Sequence, residues 1–212
     1  MSEMDQKQED KKIKQGKFIF TTNEDKNTAS IVGIKTNTVD IIIPRSINYE
    51  SKEYIVTTIS KRAFSFRFIK SVEFPVDTAI RTIEKKALYG AFIESISIPA
   101  SLVNLEDGWC ENTNYLINIT VSPNNPRYSV YQNKFIIGKS SSKSANYDVL
   151  VFCVRNIEKV TIPSFIKYIG ANAFDSCQKL KKIEIPTNSE LQKIGEKAFC
   201  CTSIESFFIP SN

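Results

Sequence analysis

Apolar and polar residues alternate in short bursts along this chain, and the bursts recur. In Lys182-Ile183-Glu184-Ile185-Pro186 every second residue is apolar, the period of a strand buried on one face. The same five-residue pattern stands at 71–75, 95–99, 159–163 and 206–210, and at 118–123 it recurs with its proline one place late. Seven of the eight prolines close such a burst. Proline has no N–H to give to a ladder, so it suits the point where a strand leaves one. From Pro75 the prolines step by 24 residues to Pro99 and by 24 to Pro123, and Pro163, Pro186 and Pro210 are 23 and 24 apart. A period of this length predicts a solenoid whose equivalent strands lie side by side in parallel, about 4.8 Å apart.

That stacking assigns the sides of each strand. Val72/Phe74, Ile96/Ile98, Ile119/Val121, Val160/Ile162, Ile183/Ile185 and Phe207/Ile209 are predicted to point inward in two columns. A second apolar beat, Ala63-Phe64, Ala87-Leu88, Ala173-Phe174 and Ala198-Phe199, predicts a column of Phe64, Leu88, Phe174 and Phe199 across the core. In the third repeat Trp109-Cys110 replaces Ala-Phe, so packing there must be rebuilt around the indole. Gly170 and Gly195 are read as tight corners, and Asn172 and Lys197 as part of one turn of 3-10 helix.

The pattern divides the chain. Residues 1–17 are polar and of mixed charge, with too little apolar surface to offset the entropy of ordering, and are expected to be disordered. Residues 18–53 read as an N-terminal β cap, with strands at Phe18–Phe20, Ser30–Ile34 and Val39–Pro44 and a turn over Asn23–Asn27. Such a cap covers the open apolar edge of the first repeat. Repeats follow at 54–75, 76–99, 100–123, 164–186 and 187–210, with strand re-entry over 149–163. Pro123 and Pro163 are 40 residues apart, which leaves an insertion at about 124–148. There Tyr128–Tyr131 and Lys134–Ile137 flank Gln132-Asn133, predicting extra strands that project from the stack, and Lys139–Asn146 reads as a mobile loop. Its aromatic residues are read mainly as packing the excursion onto the stack.

The spelled pattern I-G-x-x-A-F-x-x-C-x-x-L-x-x-I-x-I-P over Ile169–Pro186 resembles the BspA-like leucine-rich repeats, with units of 23 residues. The likeness covers Tyr54 to Pro210, and the lead ending in Tyr54-Ile55-Val56-Thr57-Thr58-Ile59 is similar to that family's N-terminal cap. It implies a mainly β, right-handed solenoid with a parallel sheet, short 3-10 or helical turns and a β-hairpin cap. It also implies a protein-binding role. Members are typically surface proteins of bacteria and of anaerobic parasitic protists, linked to adhesion to host matrix and cells. A protein partner, with host extracellular matrix among the candidates, is therefore expected from the resemblance. A cell-surface location follows from it too, with an intracellular scaffold as the alternative because the polar first residues carry no signal-like apolar core.

Composition narrows the chemistry. The chain has 212 residues, a formal net charge of +5 and no histidine. Its lysines are interspersed with acids, with no basic stripe of the kind nucleic-acid binders carry. Without histidine no Ser-His or Cys-His nucleophile pair can form, and no phosphate-binding glycine pattern is present. No catalytic residue, cofactor or metal is expected. The five cysteines, Cys110, Cys153, Cys177, Cys200 and Cys201, lack metal-ligand spacing and read as packed free thiols. The candidate partner-binding face is the outward side of the strands: Ser71, Ser95, Asn118, Lys159, Lys182 and Ser206 in one ladder, and Glu73, Ser97, Thr120, Thr161, Glu184 and Phe208 in the other. The core is expected to hold Phe64, Leu88, Trp109, Phe174, Phe199, Ile183 and Ile185. Phe208 on the last strand raises end-to-end self-association through the C-terminal repeat.

Overall fold

The structure is a computed structural model, and it describes residues 11–35 and 39–208. Its strands are β1 (Ile13–Gln15), β2 (Phe18–Asn23), β3 (Thr28–Ile34), β4 (Asp40–Ile42), β5 (Ser46–Tyr49), β6 (Lys52–Ile59), β7 (Ser71–Glu73), β8 (Thr82–Ile83), β9 (Ser95–Ile98) and β10 (Asn104–Leu105). Then come β11 (Asn118–Val121), β12 (Tyr128–Tyr131), β13 (Phe135–Gly138), β14 (Val149–Cys153), β15 (Lys159–Thr161), β16 (Tyr168–Ile169), β17 (Lys182–Glu184), β18 (Lys193–Ile194) and β19 (Ser206–Phe208). They form a three-sided solenoid.

The first side is the parallel sheet that the proline-ended bursts predict. It has the order β11-β9-β7-β4, and beyond the insertion β15-β17-β19. Equivalent residues pair at the repeat spacing: Ile119 lies opposite Ile96, and Val160 opposite Ile183. Val72, Ile96, Ile98, Ile119, Val160, Ile162, Ile183 and Ile185 are buried as expected, and Phe74 and Val121 pack against them half-buried. Phe207 departs from its column at 37% exposed, since among the described residues β19 pairs only with β17. Ile209 and the side chain of Phe208 lie outside the described residues. β4 belongs to this sheet too, with Ile41 opposite Val72, so the Ile41–Pro44 burst assigned to the cap is the first rung of the solenoid.

The second side carries short strands, β6-β8-β10 and then β14-β16-β18. The third side consists of stacked five-residue turns, and here the expectation of 3-10 helix is corrected: among the described residues none is helical. Each turn begins and ends in the left-handed region: Arg62 and Phe66, Lys86 and Gly90, Gly108 and Asn112, Asn172 and Ser176, Lys197 and Cys201. A helix cannot take two such residues four apart. The turns instead send alternate N–H groups to the next turn, as in Phe64 N–H to Ala87 O at 2.9 Å and Phe174 N–H to Ala198 O at 2.7 Å, while those between bond within the turn, as in Ser65 N–H to Arg62 O at 3.2 Å. Half of the backbone that a helix would satisfy internally is thus satisfied between repeats.

Gly170 and Gly195 also have a different cause from the one expected. Neither has positive φ; a Cβ on Gly195 would stand 2.4 Å from the Ala171 nitrogen, and one on Gly170 would stand 3.1 Å from the Leu150 oxygen. They are glycine because neighbouring backbones approach too closely for a side chain.

The cap is an antiparallel β1-β2-β3 meander whose β3 pairs in parallel with β6. β1 lies inside the lead expected to be disordered. Ile13 there is 7% exposed, and this one apolar side chain against the core is enough to order a strand the polar composition concealed. The insertion is corrected in part. β12 and β13 form a hairpin around Gln132-Asn133, both at positive φ, but β13 is buried along its length and pairs with β14, which rejoins the stack through β16. The excursion therefore packs onto the stack, with Phe135 fully buried and Tyr128 nearly so. Phe64, Leu88, Trp109 and Phe174 are core, and Phe199 in the final turn is half-buried.

Candidate functional site

The two outward ladders exist in the predicted register: Ser71 lies opposite Ser95, Asn118 opposite Ser95, Thr120 opposite Ser97, Lys159 opposite Lys182, Thr161 opposite Glu184, and Lys182 opposite Ser206. Glu73, Asn118, Thr120, Lys159, Thr161 and Ser206 are exposed, and Ser71, Ser95, Ser97, Lys182 and Glu184 are half-buried. The face is not continuous, however. β11 and β15 do not pair with each other, so it is two faces separated at the insertion. The upper face is short and polar, with the Ser71 hydroxyl donating to Asp40 at 2.7 Å. On the lower one Lys182 and Glu184 pair at 2.5 Å and Thr161 donates to Glu184 at 3.2 Å, which holds that carboxyl below its ordinary range, Lys182 being the larger cause. Beside it, Gln132, Lys134, Lys159, Lys182, Glu184 and Asn188 line a cleft of about 440 Å3 between the hairpin and the sheet. Three lysines and one glutamate make it basic.

A third feature, along the rim of the upper face, escaped the sequence reading. Phe68 and Phe92 stack at 4.3 Å with 10° between planes, and Phe92 and Tyr115 at 5.7 Å with 19°. These rings are 59%, 41% and 53% exposed. They stand three residues before β7, β9 and β11, and the same place before β15, β17 and β19 holds Asn156, Lys179 and Ser203, all exposed. The fold therefore accepts polar residues at this position. Three stacked rings in water, at a place where Asn, Lys or Ser also stands, make a contiguous exposed apolar patch and so a candidate interaction site. The signal was present in the sequence as aromatics one repeat apart, but it lay outside the strands on which the ladders were drawn.

The break between the two faces is closed by side chains. In the third side, Gly90 N–H bonds to Glu111 O, but Asn112 N–H finds the Asp175 carboxylate at 2.6 Å where the next carbonyl is missing. In the second side, Leu105 N–H donates to the Tyr128 hydroxyl at 2.9 Å. Arg155, 3% exposed, fills the middle, donating to Thr113 O at 3.2 Å and to Cys153 O and Ala173 O at 3.1 Å each. Its guanidinium also lies over the Phe152 ring at 4.3 Å and touches Cys177 Sγ and Cys110 Sγ at 3.6 and 3.7 Å. Cys153 N–H bonds to Ala173 O as Leu88 N–H bonds to Trp109 O, so Phe152-Cys153 repeats the inverted large-small order of Trp109-Cys110. The two large rings meet at 5.8 Å, and the small cysteines leave the room Arg155 occupies. Burial pushes the Cys110 thiol up to about 12. All five cysteines are free thiols, but only Cys110, Cys153 and Cys177 are buried; Cys200 is half-buried and Cys201 exposed, which corrects the expectation of packed thiols for these two, since among the described residues no further turn covers theirs.

The model of the BspA type leucine rich repeat region matches residues 44–147 and 146–212 in six copies. The chain belongs to the BspA-type leucine-rich repeat family. Among solved structures, a leucine-rich repeat protein from Eubacterium ventriosum is 16% identical with a TM-score of 0.50, over 88% of this chain and 62% of that one. A leucine rich cell surface protein from Faecalibacterium prausnitzii is 18% identical with a TM-score of 0.46, over 87% of this chain and 72% of that one. The leucine-rich repeat protein of T. pallidum is 15% identical with a TM-score of 0.47, over 87% and 86%. At these identities the likeness is one of fold. No curated protein matches the chain. Among the described residues, no helix is long and apolar enough to cross a membrane.

Proposed function

We propose that this BspA-type repeat chain is a protein-binding module that holds its partner on the Phe68–Phe92–Tyr115 ladder and the adjoining upper sheet face, and that it works at a cell surface in adhesion to host matrix or cells. The observation that carries the binding surface is the ladder itself. Aromatic rings stacked on one another and open to water offer a large, rigid apolar area, and such residues dominate the energetics of protein interfaces. The family resemblance supplies the class of partner and the surface setting. Ser71, Ser95, Ser97, Asn118 and Thr120 form the polar border beside the rings, where rim hydrogen bonds belong. The basic cleft at Lys134, Lys159 and Lys182 is a second, weaker contact suited to acidic side chains.

The test has two arms. Surface labelling of intact cells examines location; labelling that requires permeabilisation removes the adhesion reading. Binding to immobilised host matrix proteins examines the face. Replacing Phe68, Phe92 and Tyr115 by Ser is expected to weaken binding at least about 30-fold, the loss of one hot spot or more. Alanines at Lys159, Lys182 and Glu184 are expected to change it less than about 5-fold, as exposed rim charges do. Equal binding by the ladder variant and the wild type would remove the ladder from the account.

A further inference from the structure

The last two turns of the third side bring together side chains that are far apart in sequence. Asp175 and Cys200 occupy the same repeat position in successive turns, as the Ser176 N–H to Cys200 O bond at 3.0 Å records. One oxygen of Asp175 and the sulfurs of Cys200 and Cys201 all lie within 4.8 Å of one another, and the sulfurs are 3.4 Å apart. Asp175 is 2% exposed, a buried carboxylate. Its Oδ2 accepts from Asn112 N–H at 2.6 Å and from the Ser176 hydroxyl at 3.0 Å, while Oδ1 takes no hydrogen bond from the described residues. None of the described ion pairs includes it. The free Oδ1 of this largely buried carboxylate, beside two thiol sulfurs, is left able to take a cation.

We infer that Asp175, Cys200 and Cys201 form a binding site for a borderline-soft divalent cation of the zinc type. Two sulfurs and one carboxylate oxygen suit zinc, whereas an oxygen-only set would suit magnesium or calcium. Zinc–sulfur bonds of about 2.3 Å at tetrahedral angles place sulfurs about 3.8 Å apart, a small spread from the distance present. Cys201 is exposed, so the ion has an entry path and water can complete the tetrahedron. On binding, each thiol releases its proton to solvent and each sulfur donates a lone pair to the metal, so no oxidant or reductant is involved. The sequence reading expected no metal because it looked for paired cysteines along the chain, and this set is assembled across two repeats.

The test is titration of the reduced full chain with zinc by calorimetry, and with cadmium by the thiolate-to-metal charge-transfer absorption. One equivalent is expected to bind with release of protons. Cys201→Ser, at an exposed position that leaves the fold intact, is expected to weaken binding at least about 10-fold, as is Asp175→Asn, which keeps an acceptor for Asn112 N–H. A reduced chain that binds neither metal overturns the site. So does unchanged binding in the Cys200→Ser/Cys201→Ser double variant, which would assign the signal to the buried cysteines.

Discussion

Phe174→Ala tests the register from which the whole account is built. Phe174 is fully buried, with the Phe135 ring at 6.3 Å on one side and the Phe199 ring at 5.1 Å on the other. Truncation removes an entire buried ring and leaves a cavity walled by two rigid aromatics, so the cost is expected at about 3–5 kcal/mol. For a chain of this length that corresponds to a melting shift of about 6–20 °C. Phe199 has the same repeat position but is only half-buried, so Phe199→Ala is expected to cost about half as much. Each solenoid turn touches only its neighbours, so the loss should be local. Hydrogen exchange at the Phe174 and Ser176 amides should accelerate in Phe174→Ala while that of β7 and β9 is unchanged. Thermal unfolding with exchange read by mass spectrometry measures both. A Phe174→Ala cost below about 1 kcal/mol, or a larger cost for Phe199→Ala, would refute the stacking order of the turns.

Gly195→Ala places a Cβ against backbone at 2.4 Å and should cost about 1–3 kcal/mol, whereas Gly33→Ala meets only the Ile19 side chain at 3.5 Å and should cost about 1 kcal/mol or less; urea midpoints distinguish them. Tyr128→Phe strands the buried Leu105 N–H and should cost about 1–3 kcal/mol in the same assay. Stability should also depend on pH through the buried thiols. Cys177 is drawn down to about 7, first by the neighbouring Cys153 thiol, against the opposing effect of burial, with the Arg155 charge assisting. A thiol lowered on folding stabilises above its unfolded value, near 8.5, and the contribution is lost as pH falls through about 7. Cys110 and Cys153 are raised by burial and act the other way, lowering stability above about 8.5. The melting temperature should therefore climb from about pH 6.5 to about pH 8.5 and then fall, and Cys177→Ser should remove the climb.

What could be read from the sequence was what repeats. The inward residues Val72, Ile96, Ile183 and Ile185 follow from period-two alternation and the proline beat, because each such burst has one packing solution in a parallel stack. The turns were misread because Arg62, Lys86 and Lys197 give no local sign of the left-handed backbone; it is imposed by hydrogen bonds to the next repeat. Gly195 was legible as a constraint but not as close approach, which depends on Ala171 one repeat away. The break was the least legible part. Tyr128, Arg155 and Asp175 each replace a missing backbone partner, and nothing periodic announces a residue whose task is to repair an interruption. The aromatic ladder was periodic and still missed, because Phe68, Phe92 and Tyr115 stand before the strands.

The central claim is that the rings at one repeat position form the contact with another protein. A photo-crosslinking amino acid placed at position 92, and in a second protein at position 179 of the same column, tests it directly in the cells that make the chain. The account predicts a discrete protein adduct from position 92 that disappears when Phe68 and Tyr115 are changed to Ser, and none from position 179. Equal adducts from both positions, or none from position 92, would contradict it.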